Sequence, residues 1–196
     1  MPAVPSIKAT LFQFAADDVA RLLASGRLTR VELERRLAKE DLPYLGKQLA
    51  VTSWVPIATY VRVSTIAIEL ECPGSREEYL REAGLRAAAK LHKMGLYMQF
   101  EVSADRWGPS VGRILVTLAA VSYNFTHWTF EEGDDDVPFR IIIERARDFP
   151  EMLRIANEGF ITYLARNVLR QPKATVTSER VSNNRIIFTA RNESAA

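Results

Sequence analysis

Near Tyr123 the spacing of apolar residues changes from helical to alternating, and no other feature constrains the fold as much. Thr126, Trp128 and Phe130 share one face of a predicted strand, and Phe139, Ile141 and Ile143 share one face of the next. The loop between them holds Gly133 and the aspartates Asp134, Asp135 and Asp136, which gives a hairpin. Asp148, Pro150 and Glu151 then read as the start of a helix, with Met152, Ile155, Ala156, Gly159, Phe160, Tyr163, Leu164 and Val168 on its buried side. Lys173 to Val181 and Arg185 to Arg191 alternate again around Ser182, Asn183 and Asn184, residues that tolerate positive φ in a tight turn. The order is strand, strand, helix, strand, strand.

The preceding half reads as helices. Asp17 or Asp18 is taken to start one that runs to Ala24, with Gly26 as its stop. Thr29 and Glu32 form a capping box for a helix over residues 30–39. Pro56 opens a buried, β-branched helix that Pro73 and Gly74 end. Ser75 and Glu78 cap the most amphipathic segment, whose small residues Ala83, Gly84, Ala87 and Ala88 allow close approach of a neighbour. A short helix over about 110–122 follows the break at Trp107, Gly108 and Pro109. The expectation is one α+β domain over residues 1–196, with no strand in the first hundred. Residues 1–15 are read as loosely ordered, 16–123 as mainly helical and 124–192 as the ββαββ part, a four-stranded antiparallel sheet with the N-terminal helices packed alongside.

At 47% hydrophobic and 26% charged residues the chain has an ordinary globular composition. A net charge of +2 lacks the field that nucleic acid or an anionic membrane surface requires. The lone Cys72 makes no intrachain disulfide, and residues 1–6 lack a signal-peptide pattern. The longest apolar stretch, Ile114 to Val121, is too short to span a bilayer. The reading is cytoplasmic, without nucleic-acid or membrane partners.

Candidate chemistry is sparse. His92 lies beside Lys90 and Lys93 and reads as a solvated surface residue, while His127 alternates away from Trp128. Neither has a histidine or cysteine neighbour at ligand spacing, so no metal or haem and no other cofactor is expected. The acidic loop at Asp134 lacks the ligand alternation of an EF-hand and reads as a solvated hairpin tip. Aromatic residues gather where the helical and strand patterns meet: Trp54, Tyr60, Trp107, Tyr123, Phe125 and Trp128. A cleft there would set apolar walls beside Arg113 and Asn124, which makes Trp107, Arg113, Tyr123, Asn124 and Trp128 the candidate ligand-binding residues.

The strings RLTRVELERRL from Arg27, SWVPIATYVR, EEYLREAGLRAAAKL, SYNF and FPEMLRIANEGFITYLARNVLRQPKATV resemble a myxobacterial paralogous family of uncharacterised proteins. The second half is similar to a wider group that includes 4-vinyl-reductase-like sensory domains, haem-nitric-oxide-binding-associated folds and TRAPP vesicle-tethering subunits. In that group a helix carrying Gly-Phe, matched by Gly159-Phe160, sits between two hairpins. The resemblance implies an α+β fold that often dimerises and sometimes encloses a small or lipid-like ligand. The cysteines of the 4-vinyl-reductase-like pattern are absent, since Ser178, Val181 and Phe188 occupy that stretch, and no haem-ligating histidine motif matches.

These observations converge on a non-catalytic small-molecule-sensing or protein-interaction module, homodimeric, with a hydrophobic cleft between helices and sheet and a small hydrophobic molecule or a protein as partner. Two alternatives stand beside it. One is an enzyme acting on a small organic substrate through His127, Arg113 and Glu144; the other is a structural subunit of a larger assembly.

Overall fold

The capping box at Thr29 forms as the sequence requires: Glu32 N donates to Thr29 Oγ1 at 3.2 Å, and Thr29 N donates to the Glu32 carboxylate at 3.0 Å. The computed structural model of the chain describes residues 4–46, 48–95, 110–134, 136–168 and 171–192. It divides into two compact units, Met1–Arg76 with Val121–Phe125, and Glu77–Ala120 with Thr126–Ala196.

The first unit holds helices α1 (Ala9–Ala24), α2 (Arg30–Arg36) and α3 (Ile57–Glu71). Strands β1 (Ser6–Lys8) and β2 (Trp54–Pro56) pair antiparallel, with Ile7 opposite Val55. These strands correct the expectation of none in the first hundred residues. Three residues are too few to show alternation, yet Ile7 and Val55 are fully buried, so the pairing anchors the core. Residues 6–15 lie in β1 and the first turns of α1. Helix α1 starts at Ala9 instead of Asp17 because Phe12, Ala15, Val19 and Leu22 already sit at helical spacing on one buried side. Asp17 is exposed within the helix, where its carboxylate accepts from Gln13 Nε2 at 2.9 Å. Gly26, at φ 73°, supplies the left-handed residue that ends the helix.

Asp41 ties this unit together. It is fully buried, and its carboxylate accepts from Ala38 N, Thr59 Oγ1, Arg62 Nε and Arg62 Nη2 at 2.6–3.0 Å. Burial pushes this carboxyl up, but the donations from Arg62, Thr59 and Ala38 outweigh it and hold it below the usual aspartate range. Stabilisation from a carboxyl lowered in the folded state is fully present above the unfolded value of about 3.9 and is lost as pH falls through the folded one. Asp41→Asn should therefore lower the unfolding free energy by about 2 kcal/mol at neutral pH, the size of a hydrogen-bonded charge with a partly hydrated partner. The gap between wild type and variant should close below about pH 4. Urea unfolding of both proteins at pH 7 and pH 3 checks this; a gap that does not shrink contradicts it.

The second unit holds α4 (Arg76–Lys93, whose first residue belongs to the first unit), α5 (Ser110–Ser122, which ends in the first unit), α6 (Glu151–Asn167) and one sheet. Its strands are β3 (His127–Glu132), β4 (Phe139–Glu144), β5 (Ala174–Ser182) and β6 (Arg185–Asn192), all antiparallel, in spatial order β3-β4-β6-β5. Trp128, Ile141, Ile143, Ile186, Phe188 and Val176 line one face in register and are buried. At the first hairpin Asp134 Oδ1 accepts from Asp136 N and Val137 N, so the acidic tip is closed by its own first aspartate.

Two local readings are corrected. Helix α6 begins at Glu151 after Pro150, with no side-chain cap, and Asp148 instead lies in a 3-10 turn, Ala146–Asp148. Pro150 is itself the N-cap, with extended backbone at φ −68° and ψ 147°, and its carbonyl accepts from Leu153 N at 3.0 Å and Arg154 N at 3.1 Å. Neither Asn183 nor Asn184 takes positive φ; among described non-glycine residues Arg145 alone does, at 57°. A register shift between Arg180 and Ser182 takes up the twist at the second hairpin. Arg180, next to this shift, donates to Ala146 O at 3.0 Å and Phe149 O at 2.7 Å, which clasps the entry to α6 against the sheet.

Candidate functional site

Helix α6 is enclosed on three sides, and its sequence explains how. Ala156 and Gly159 face α4 so closely that a Cβ on Gly159 would lie 1.9 Å from Arg81 O, and one on Gly84 1.8 Å from Ala156 O. Gly84 of the small-residue stripe thus serves packing within the chain. A second side faces β5 through polar groups. Glu158 is buried, and its carboxylate accepts from Arg81 Nε (2.6 Å), Arg154 Nη1 (3.1 Å), Ser178 N (2.9 Å) and Ser178 Oγ (2.6 Å). Thr162 Oγ1 donates to Glu158 O and accepts from Val176 N. The charge of Glu158 is thereby matched by two guanidinium groups.

The third side borders a cavity of about 40 Å³. Asn157, Phe160, Ile161 and Leu164 repeat at helical spacing on this side, and Val116 and Ala119 of α5, Trp128 of β3 and Ile141 of β4 complete the lining. Apart from Asn157, whose Nδ2 donates to Leu153 O at 2.8 Å, and the Trp128 indole, the walls are hydrocarbon. Trp128 stacks on Phe188 (centroids 6.3 Å apart, 13° between planes), meets Phe149 edge-on and donates from Nε1 to Thr126 Oγ1 at 2.8 Å. The ring is held on all these contacts and turns only part of its surface to the cavity.

The other expected site residues are placed differently. Tyr123 and Asn124 belong to the first unit, where they secure β1: Ile7 bridges Tyr123, Ser6 N donates to Asn124 Oδ1 at 2.7 Å, and Asn124 Nδ2 donates to Val4 O at 3.0 Å. Arg113 lies on α5, and nothing is described of its side chain; Trp107 lies outside the described residues. Trp54 carries Lys8 Nζ over its ring at 3.8 Å. His127 and Glu144 are register partners on β3 and β4, both exposed. His92 is not simply solvated: it is half-buried, its Nδ1 lies 2.9 Å from Tyr163 Oη, and the two rings meet edge-on. The sequence reading missed Asn157, Phe160, Ile161 and Leu164 as a lining. Their spacing was legible, but a helical stripe looks the same over a void as over a filled core.

No helix among the described residues is long and apolar enough to cross a membrane, and no described group of histidine, cysteine and carboxylate residues could hold a metal ion. No protein-family model matches the sequence, and no curated protein matches it. Solved structures do. An Fe(II) unliganded H-NOX protein mutant from K. algicida superposes with TM-score 0.58 at 11% identity, over 96% of this chain and 97% of that one. An oxygen-binding H-NOX domain related to soluble guanylate cyclases gives TM-score 0.57 at 11% identity, over 96% of each chain. At such identity the likeness speaks of architecture alone, and the chain has an α+β fold similar to that of H-NOX domains.

Proposed function

We propose that this chain is a non-catalytic, homodimeric sensing module of the cytoplasm that takes up a small apolar molecule in its C-terminal unit and passes the occupancy on to a protein partner. The cavity beside α6 carries this reading. Ligand pockets for drug-sized molecules are roughly 300–1,000 Å³; at about 40 Å³ this one suits an apolar molecule of a few heavy atoms. Hydrocarbon walls favour such a molecule over water, because an apolar cavity offers water no hydrogen bonds. The H-NOX-like fold supports a sensing role.

The names of the neighbouring structures speak of Fe(II) and of an oxygen complex, which raises the question of an iron group such as haem. The described residues do not fit one. The cavity is far too small for a macrocycle, and its lining contains no histidine, cysteine, methionine or tyrosine to supply an axial ligand. Of the two imidazoles, His92 is engaged with Tyr163 and His127 lies exposed on β3; neither lines the cavity. Cys72 is in the first unit, with its Sγ on Gly74 O.

Xenon is a suitable probe. Under xenon pressure, amide and methyl resonances of Ile141, Ile161 and Leu164 should shift saturably, and Ala119→Leu, which fills the cavity, should abolish the shift while circular dichroism stays unchanged. A haemin titration should give no saturable Soret band. No response of the lining residues to xenon would overturn the cavity reading; a saturable Soret band lost in His92→Ala would overturn the haem-independent one.

A further inference from the structure

We infer that two copies of this chain join through their β3 strands, edge to edge and antiparallel, in the register that places Thr129 opposite Thr129. This deepens the homodimeric part of the function proposed above and rests on it. The two edges of the sheet differ. On one, β5 carries a bulge between Arg180 and Ser182 and the charged pair Glu179 and Arg180, features that blunt an edge against further pairing. On the other, β3 runs from His127 to Glu132 against β4 without a register shift. Thr129, Phe130 and Glu131 make no described backbone hydrogen bond beyond those to β4. The N–H and C=O groups on the far side of that stretch therefore offer a template for another strand.

The occupant follows from the residues. A two-fold axis perpendicular to the sheet keeps each protomer's buried face on the same side, so residues opposite one another share a face. With Thr129 on the axis, Trp128 faces Phe130 of the second copy on the buried side, and His127 faces Glu131 on the outer side. Aromatic pairs and hydrogen-bonding polar pairs are cross-strand combinations that stabilise antiparallel sheets, and an imidazole N–H opposite a carboxylate is of the second kind. Phe130 is only half-buried, stacked on Phe139 at 5.5 Å, which leaves apolar ring surface for the partner to cover. The adjacent registers lose both pairings. With Phe130 on the axis, Trp128 faces Glu132 and His127 falls beyond the strand; with Trp128 on the axis, His127 faces Thr129 and Glu131 lies opposite Phe125. The sequence HWTFEE is self-complementary in one register only.

Cysteine cross-linking tests the register in a Cys72→Ser background. Residues directly opposite in an antiparallel pair have Cα atoms about 4.5–5.5 Å apart, within the span of a disulfide. Thr129→Cys should form a covalent dimer on mild oxidation, and a mixture of His127→Cys and Glu131→Cys chains should cross-link where either alone does not. Both of those positions are exposed, so folding is not at stake. Thr177→Cys, exposed on β5, is the control and should stay uncross-linked. Light scattering of the unmodified protein should give twice the 22.1 kDa chain mass. A doubled mass without these cross-links overturns the β3 interface and leaves the homodimer standing; a single-chain mass at high micromolar concentration overturns both.

Discussion

Replacing Gly159 by alanine will destabilise the protein by about 3 kcal/mol, although helix propensity points the other way. Alanine is favoured over glycine inside a helix by about 1 kcal/mol. The added Cβ, however, would stand 1.9 Å from Arg81 O and 2.7 Å from Arg81 C. Overpacking costs about 1–3 kcal/mol, occasionally more, and the obstacle is the backbone of α4, which has no rotamer to change. The helices must separate, and each kcal/mol is worth about 2–4 °C in a protein of this size. The melting temperature should fall by roughly 6–12 °C. Gly74→Ala, with no atom within 4 Å of its added Cβ, should leave the melting temperature nearly unchanged. Calorimetry on the two variants decides the matter, and a Gly159→Ala protein that melts at or above wild type would refute the close crossing.

Glu158→Ala should cost a similar amount, about 3 kcal/mol, for an electrostatic reason. Its removal leaves the Ser178 N–H without its acceptor and takes one of two carboxylates from Arg154, whose side chain is 14% exposed and which keeps Glu151 and Ser178 O. Breaking a buried ion pair from one side costs about 3–5 kcal/mol; Arg81, at 44% exposed, recovers water, which places the expected loss at the low end. Glu158→Gln keeps the shape and an acceptor oxygen, so about half the loss should return. Urea unfolding separates the two variants, and amide exchange at Ser178 should accelerate in the alanine variant because its N–H partner is gone. A loss below 1 kcal/mol in Glu158→Ala would mean that the two arginines are served by water instead.

The strands of the C-terminal sheet were readable because alternation persists over six to nine residues in each of them. Thr29 with Glu32 was readable because a capping box is local in the chain. The start of α1 was misread because Asp17 and Asp18 look like caps, and only burial of Phe12 and Ala15 shows that the helix is already under way. Asn124 was read as a polar group for a ligand, whereas it serves Ser6, a residue 118 positions away in sequence. Such a partner leaves no trace in local spacing. Trp128 was read as a ligand-binding residue, and only packing shows its ring stacked on Phe188 and edge-on to Phe149.

The crossing of α4 and α6 bears on how relatives of this chain could be recognised. At 11% identity to structures of the same architecture, a general alignment score carries little information, since most positions have drifted. Gly84 and Gly159 are not free to drift in that way: each admits no larger side chain while the other helix's carbonyl stands where a Cβ would go. Arg81 and Glu158 are bound to them, because each lies within three residues of one glycine and each pairs with the other across the crossing. A search for arginine three positions before glycine in one helix, and glutamate immediately before glycine in a later one, would test descent at the few sites where the backbone itself forbids change.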